Sequence, residues 1–142
     1  LSAQALQVAA INLQRHDLES RIRLIQCDGL PPAAQRRTPA YDLILCNPPY
    51  VNRRSMAALP AEYRAEPGLA LDGGMDSMDF IRPLLAHAAQ AMRDNAVLVL
   101  EIGHEREHFE RAFARLAPLW LSTSGGIDQV LLLERSQLSP HP

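Results

Sequence analysis

Four consecutive residues in the middle of the chain, Asn47-Pro48-Pro49-Tyr50, set an amide and a phenol on either side of two prolines. They follow Asp42-Leu43-Ile44-Leu45-Cys46, an apolar run too short for a helix, which predicts a buried strand. Because proline has no backbone N–H to donate to a strand ladder, residues 47–50, the proline corner, must end that strand in a stiff bend. Open α/β sheets bind their ligands at the carboxyl ends of strands, so the proline corner is the first candidate for a functional site.

The elements before the proline corner predict one side of an α/β unit. Residues 2–16 carry apolar side chains at i, i+3, i+4 and i+7 after a serine that can cap the first turn, which predicts an amphipathic helix. Residues 21–26 alternate as a strand does and end at Cys27-Asp28-Gly29. A loop rich in proline, alanine and arginine, residues 31–39, then leads to the strand before Asn47.

Residues 51–75, directly after the proline corner, show no convincing periodicity and contain several prolines, glycines and charged residues. A segment of this length without regular structure is either disordered or a functional loop. Because it begins at the proline corner, we favour a loop that shapes a substrate site.

The second half of the chain predicts alternating helices and strands that end in a hairpin. The expected elements are a helix over 80–93 that starts near Phe80 or is kinked at Pro83, a strand over 96–102, a helix over 105–116, and strands over 120–122 and 129–133 joined through Gly125-Gly126. This order predicts an α/β fold with a mostly parallel sheet and an antiparallel edge at its C-terminal end. The sequence has no strand followed by a Gly-x-Gly nucleotide-binding turn, so it has the pattern of the later strands of such a domain.

The composition excludes several classes of function. The chain has 142 residues, of which 47% are hydrophobic and 21% charged, as in one soluble globular domain or part of one. A net charge of −2 gives no basic footprint for nucleic acid, and no apolar run approaches the ~20 residues that span a bilayer. The two cysteines, Cys27 and Cys46, suit reduced thiols in a cytosolic protein. The five histidines lack zinc-ligand spacing, so we expect no metal.

Two blocks of sequence together resemble the protein-glutamine N5-methyltransferases, which use S-adenosylmethionine. Asn47-Pro48-Pro49-Tyr50 after an apolar strand resembles the signature of amino-group methyltransferases, which include adenine-N6, cytosine-N4 and protein-glutamine enzymes. Residues 59–76 resemble the glutamine branch, in which a Glu-Pro pair leads into Ala-Leu-x-Gly-Gly-x-Asp. The Leu-Pro-x-Glu-Tyr-Arg form of this block is similar to the branch that acts on large-subunit ribosomal protein L-three, and Gly125-Gly126-Ile127-Asp128 favours that branch less strongly.

The resemblance runs from about Ser2 to Leu138 and implies a Rossmann-like, class I methyltransferase fold. Residues 1–142 would form the C-terminal portion of that domain, with a substrate loop at about 51–76. The family's N-terminal strands, glycine-rich cofactor loop and ribose-binding acid would be missing. Ser77 stands where the family has glycine, and Pro83 lies in a helix that the family carries without proline. We therefore assign the activity to the parent protein and expect the chain alone to bind the cofactor weakly or not at all.

The resemblance also implies roles for the proline corner. Attack by a glutamine amide nitrogen requires its NH₂ group to be held in line, with both hydrogens bonded to acceptors. The side-chain oxygen of Asn47 and the carbonyl of Pro48 would be those acceptors, and Tyr50 would pack on the planar amide as a wall. Asn47 would also border the cofactor, Pro49 completes the corner, and Glu66-Pro67 resembles the substrate-loop element. The alternatives are a turn residue for Asn47 and a solvated acid for Glu66.

Residues near the ends of other predicted strands would complete the site. Asp28 resembles the family's adenine contact, with an Asx turn as the alternative. Cys27 could line the adenine pocket or be a plain buried thiol. Glu101 could be a hydrogen-bond acceptor behind the site or only the end of a strand. A local basic cluster could meet RNA or a basic ribosomal protein, with solvated charges as the alternative; its members are Arg53, Arg54 and Arg64.

The resemblance implies S-adenosylmethionine as the cofactor, a cytoplasmic location, and a protein substrate, ribosomal protein L-three, which could be met before ribosome assembly. One alternative is a nucleic-acid amino-methyltransferase that acts on adenine N6 of a flipped base. The net charge and the second sequence block count against it, so no direct DNA binding and no membrane association are expected. The other alternative is an inactive fragment that does not bind the cofactor alone.

Overall fold

The computed structural model describes residues 2–32, 41–56 and 66–138 of the chain. The chain divides into two compact units, residues 1–37 and residues 38–142. Among the described residues, the first unit contains one helix, and the second contains a four-stranded sheet with its connecting helices and turns. No helix in these described ranges is long and apolar enough to cross a membrane.

Helix α1, Ala3–Arg15, lies in the first unit and confirms the predicted N-terminal helix. Ser2 is its N-cap, and the Ser2 hydroxyl oxygen accepts a hydrogen bond from the backbone N–H of Ala5 at 3.1 Å. The strand predicted over 21–26 is wrong, because residues 22–27 do not form a strand. Alternating side chains indicate that a chain can be extended, but a strand also needs a ladder of backbone hydrogen bonds, and no described strand pairs with this segment.

The sheet of the second unit contains β1 (Tyr41–Cys46), β2 (Met92–Glu101), β3 (Leu119–Thr123) and β4 (Gly126–Glu134) in the order β1-β2-β4-β3. β1 and β2 run parallel, whereas β4 runs antiparallel to both β2 and β3. The structure therefore confirms an α/β fold with a mixed sheet and the predicted antiparallel hairpin at its C-terminal end. The described part of the sheet has one parallel pair, which is the pair that positions the proline corner.

Helices cover one face of this sheet. The second unit contains α2 (Arg53–Met56), α3 (Ile81–Ala91), α4 (Arg106–Ala112) and α5 (Arg135–Leu138), with a 3-10 turn at Gly68–Ala70. α3 packs on β2, and α5 packs on β2, β4 and α3. The buried apolar residues of this layer include Ile44, Ile81, Leu84, Leu85, Ala88, Ala91, Ala96, Leu98, Leu100, Leu131 and Leu133. Burial of each leucine side chain contributes about 1.5–3 kcal/mol, so this face anchors the unit.

The opposite face of the sheet carries an apolar row that is largely exposed. The row joins Leu45, Val99, Leu132 and Leu119 across the four strands. Leu45 is 71% exposed and Leu119 is 62% exposed. The prediction that the strand before the proline corner is buried is therefore wrong except at Ile44. The reason is that α3 and α5 cover only the other face, and β1 is the edge strand of the described sheet.

The start of α3 agrees with its prediction, whereas α4 and β2 differ from their predicted boundaries. α3 begins at Ile81, so Pro83 is its third residue. The first turn of a helix has no intrahelical partner for its N–H groups, and proline there removes no helical hydrogen bond. This confirms the start near Phe80. α4 ends at Ala112, four residues before its predicted end. β2 begins at Met92, four residues before its predicted start, because Met92 pairs with Tyr41; the register then shifts before Val97, and Asn95 within the shift has a φ of 64°.

Ser77 occupies a strained and fully buried position. Its φ of 67° lies in the left-handed region, it is 0% exposed, and its hydroxyl oxygen has no hydrogen-bond partner among the described residues. A left-handed φ costs an L residue about 1–2 kcal/mol. An unpaired buried hydroxyl costs about 1–3 kcal/mol. Ser77 is also the position at which the sequence resemblance implies glycine, and a glycine here would avoid both costs.

We expect Ser77→Gly to raise the free energy of unfolding by about 1 kcal/mol. The substitution relieves the strain and the unpaired hydroxyl, and the extra backbone entropy of glycine offsets about 0.5–1 kcal/mol of that gain. Thermal unfolding should show a Tm higher by about 2–5 °C. Ser77→Ala is the matched control, because it removes the hydroxyl but keeps the strained φ, and it should gain less. A Tm for Ser77→Gly at or below that of the wild type would contradict this account.

Candidate active site

The proline corner leaves the sheet where β1 and β2 end side by side. The last pair of the two strands is Cys46 with Leu100. Because parallel strands end at the same edge of a sheet, the proline corner lies beside Glu101, the last residue of β2, and residues 102–104, which follow it. Asn47 is exposed at this edge, and Tyr50 is half-buried. Two polar segments that are far apart in sequence are thus brought together by one strand pairing.

Residues 71–77, the glycine loop, hold the proline corner through backbone hydrogen bonds. The N–H of Val51 donates to the carbonyl of Leu71 at 2.9 Å, and the N–H of Gly73 donates to the carbonyl of Val51 at 2.9 Å. Val51 therefore forms a short parallel bridge with the glycine loop. The sequence predicted no regular structure for the segment that starts at Val51. The two ends of this segment are joined by backbone hydrogen bonds rather than by side-chain packing.

Gly73 allows the glycine loop and the proline corner to approach each other closely. A Cβ atom at Gly73 would lie 2.8 Å from Cα of Tyr50 and 2.9 Å from the carbonyl oxygen of Pro49. Both are backbone atoms, which cannot turn aside as the end of a flexible side chain can. Gly73 is itself buried. The contact between the two segments therefore requires glycine at this position.

A cleft of about 510 Å³ opens in front of the proline corner. Asn47, Pro48 and Tyr50 line it from the corner, and Glu66 lines it from the segment before the 3-10 turn. A cleft of this volume lies within the range of small-ligand and side-chain binding sites. The structure therefore brings four of the predicted site residues around one cavity. Their catalytic and binding roles stay predictions.

The Tyr50 side chain is in contact with the last residue of β2 and with a glycine just after it. Its hydroxyl donates a hydrogen bond to Oε1 of Glu101 at 3.4 Å. A Cβ atom at Gly103 would lie 2.6 Å from Cε2 of the ring, and Gly103 has a φ of 55°. The ring thus lies directly against the backbone of Gly103. Glu101, whose role the sequence left open, accepts a hydrogen bond from the Tyr50 hydroxyl.

Two carboxylates stabilise the glycine loop. Asp72 accepts a hydrogen bond from the N–H of Gly74 at 2.9 Å and pairs with Arg53, and these contacts lower the pKa of the Asp72 carboxyl. Asp76 pairs with Arg82, which is the main reason that the pKa of the Asp76 carboxyl is lowered. These contacts are fully present above the unfolded pKa of about 3.9. They are lost as the pH falls through the lowered pKa values.

Other residues predicted for the substrate loop are placed less centrally or lie outside the described residues. Neither Pro49 nor Pro67 is part of the cleft lining; Pro49 is half-buried within the corner, and Pro67 is exposed before the 3-10 turn. Arg53 is exposed and is engaged with a carboxylate of the glycine loop. Arg64 and the side chain of Arg54 lie outside the described residues, so the structure describes the predicted basic cluster only at Arg53.

The residues predicted to contact adenine lie in the first unit. The Asp28 carboxylate is exposed and makes no hydrogen bond with another described residue. Cys27 is half-buried, and its thiol donates to the backbone carbonyl of Gly29 at 3.2 Å. Burial raises the pKa of the Cys46 thiol to about 11, so Cys46 stays protonated at neutral pH. The predicted contacts of Asp28 and Cys27 with the cofactor stay predictions.

Polar and ionisable side chains form a hydrogen-bonded group at the start of α4. The Nδ2 atom of Asn52 donates to Oε1 of Glu105 at 3.4 Å, and the other Glu105 oxygen lies 2.5 Å from Nδ1 of His108. Glu105 thereby links the segment after the proline corner to α4. No set of His, Cys, Asp and Glu side chains in the described ranges is arranged to hold a metal ion.

Sequence reasoning missed three residues that line the cleft, namely Gly103, His104 and Gln129. Gly103 and His104 directly follow β2, and the parallel pairing of β1 with β2 is the signal that identifies them. Gln129 lies on β4, where its carbonyl accepts a hydrogen bond from the N–H of Ile102 at 2.8 Å. Its place in the cleft depends on the antiparallel register of β4, which no local pattern in the sequence sets.

A mixed α/β sheet with an Asn-Pro-Pro-Tyr corner at the carboxyl end of a parallel strand is the arrangement that the sequence resemblance implies for a methyltransferase of amino groups. No protein-family model matches the chain. Three curated proteins, each named ribosomal protein uL3 glutamine methyltransferase, are similar to it. The protein of Bordetella pertussis is 53% identical over 142 residues, that of Burkholderia pseudomallei 49% over 142 residues, and that of Francisella tularensis 35% over 138 residues.

These alignments cover 97–98% of this chain, so the similarity is not confined to the proline corner. The chain belongs to the family of these protein-glutamine methyltransferases. It spans less than half of the length of the relatives, 46% of the first two and 43% of the third. The alignments therefore establish the family, but not the activity or the substrate of the whole protein.

We expect Gly73→Ala to lower the free energy of unfolding by about 1–3 kcal/mol, as overpacking against fixed atoms does. The new methyl group would meet backbone atoms of the proline corner at less than van der Waals distance. Gly68→Ala is the matched control, because a Cβ atom there has nothing within 4 Å. Thermal unfolding should show a lower Tm for Gly73→Ala and a Tm near wild type for Gly68→Ala. Equal Tm values for the two variants would refute the close contact.

Proposed function

We propose that this protein transfers a methyl group from S-adenosylmethionine to the side-chain nitrogen of a glutamine in a protein, and that the substrate is ribosomal protein uL3. The observation that carries the proposal is the single cleft lined by Asn47, Pro48 and Tyr50. The names of the relatives support both the reaction and the substrate. The reaction would take place in the cytoplasm, where uL3 could be met before ribosome assembly.

The chemical difficulty that the cleft must meet is the weak nucleophilicity of an amide nitrogen, whose lone pair is delocalised into the carbonyl. In this proposal, the side-chain oxygen of Asn47 and the carbonyl of Pro48 accept the two hydrogens of the glutamine NH₂ group and favour a pyramidal nitrogen. The Tyr50 ring packs on the planar amide and limits its rotation. Because the proline corner is stiff, these groups are oriented before the substrate binds. After the N–C bond forms, the nitrogen releases one proton to solvent water, and no covalent intermediate with the protein is required.

The cofactor side of the proposal rests on the chemistry of Asp28. An exposed carboxylate fits the exocyclic amine of adenine, which needs a hydrogen-bond acceptor, and Cys27 would line the same pocket. Bound S-adenosylmethionine supplies a methyl group on a sulfonium, which keeps the bonding electron pair when the methyl leaves. A glycine-rich turn after a strand usually binds the rest of such a cofactor, and this sequence lacks one. Weak or absent binding by these 142 residues alone stays our expectation.

A nucleic-acid substrate is the competing reaction, because the same four-residue corner could hold the amino group of a flipped adenine. A net charge of −2 provides no excess of cations for the phosphate backbone. The names of the relatives specify a protein glutamine and not a base. Both points favour the protein substrate.

The test is methyl transfer by the full-length protein that carries this chain. With methyl-labelled S-adenosylmethionine, we expect label in purified uL3 and none in single-stranded or duplex DNA. Mass spectrometry of the labelled uL3 should locate the methyl group on one glutamine side chain. Label in DNA without label in uL3 would overturn the proposal in favour of the competing reaction.

We expect Asn47→Ala in the full-length protein to lower the methylation rate by about 100-fold or more, the scale of losing one preorganised polar contact. Its affinity for the cofactor should stay nearly unchanged, because the lost oxygen acts on the substrate amide. Asn12→Ala is the matched control, since Asn12 is an exposed residue of α1. Single-turnover kinetics and equilibrium cofactor binding separate the two effects. A rate within threefold of wild type would remove Asn47 from the mechanism.

A further inference from the structure

We propose that Glu101 is a positioning residue of the site, which holds the Tyr50 ring at the cleft through its carboxylate. This inference rests on the proposed function for its catalytic consequence, but its structural part concerns only the Tyr50 ring. The hydroxyl of Tyr50 donates to Oε1 of Glu101 at 3.4 Å across 51 positions of sequence. Glu101 does not line the cleft, so it acts on the substrate only through Tyr50.

The end of β2 is built to present Glu101 and Gly103 to the same ring. Ile102, between them, is 0% exposed and therefore points into the core. Side chains alternate along a strand, so Glu101, the neighbour of Ile102 at the end of β2, faces away from that core. The N–H of Ile102 donates to the carbonyl of Gln129 at 2.8 Å, which extends the pairing with β4 past the end of β2. The core thus fixes the backbone from which Glu101 reaches Tyr50.

The two contacts restrict different motions of the ring. Gly103 lies against Cε2, so the backbone blocks movement of the ring in that direction. The carboxylate of Glu101 contacts the hydroxyl at the far end of the ring and opposes its swing about χ1. The Tyr50 ring can orient a planar amide only if the plane of the ring is itself fixed. Misorientation of the reacting nitrogen reduces the fraction of productive encounters. Glu101 would thereby act on turnover and not on cofactor binding.

The kinetic test compares Glu101→Ala, Glu101→Gln, Tyr50→Phe and the Glu101→Ala/Tyr50→Phe double variant of the full-length protein. Glu101→Ala and Tyr50→Phe should each lower kcat for methylation of uL3 by about tenfold, as loss of one hydrogen bond to a charged group does. Glu101→Gln keeps an acceptor oxygen and should stay within about threefold of wild type. The double variant should be no slower than either single variant, because both remove the same interaction.

A second readout needs no activity. NMR of the protein with ¹³C-labelled tyrosine rings should show a Cζ signal for Tyr50, identified by its disappearance in Tyr50→Phe. Glu101→Ala should shift this signal, while the Tyr41 signal should not move. Glu107→Gln, a change at an exposed glutamate of α4, is the matched control and should shift neither signal nor change kcat.

The outcomes distinguish this inference from the proposed function. If the wild type does not methylate uL3, the proposed function is wrong, and the Tyr50 signal still decides whether Glu101 holds the ring. If methylation occurs but the losses in the double variant multiply, or Glu101→Ala leaves the Tyr50 signal in place, Glu101 is only the end of a strand and the inference is wrong. A lower Tm for Glu101→Ala with an unmoved Tyr50 signal would likewise refute it.

Discussion

The structure of the site depends on one contact, the backbone pairing of the segment after the proline corner with the glycine loop. Val51 both donates to Leu71 and accepts from Gly73, so the two segments are fixed in register as strands are. The pairing is possible only because Gly73 has no Cβ atom to meet the backbone at Tyr50. Backbone hydrogen bonds of this kind are insensitive to side-chain motion. The proline corner can therefore keep its direction although one of its ends, Asn47, is exposed.

The parallel pairing of β1 with β2 supplies the second half of the site. It sets Glu101 and Gly103 beside Tyr50, and the buried Ile102 anchors the backbone between them. The two halves have different physical support. The glycine loop is held by backbone bonds and by carboxylates with lowered pKa values, whereas the end of β2 is held by the apolar core. Acid would weaken the first support and leave the second unaffected, because the core contains few ionisable groups.

The sequence predicted those features that local physical rules determine. Periodicity and the capping serine identified α1, and the absence of N–H groups in two prolines identified the end of β1. The predictions that were wrong, and the site residue that was missed, depend on partners distant in sequence. The segment 22–27 alternates like a strand but lacks a ladder among the described strands, and Leu45 is apolar but exposed because β1 is an edge. The place of Gln129 in the cleft follows from strand register, which a single sequence does not encode locally.

The site also shows why the substrate could be inferred from fewer residues than the cofactor. Every described residue that lines the cleft belongs to the second unit, and the rigid parts of the lining are the proline corner and the glycine loop. Recognition of a planar NH₂ group needs only two acceptors and a wall at fixed positions, which a corner of four residues can supply. A nucleotide-like cofactor is larger and needs separate contacts for its base, ribose and charged end. The proposed acceptor side can therefore be tested residue by residue in this chain, while the predicted cofactor contacts rest on Asp28 and Cys27 in the first unit.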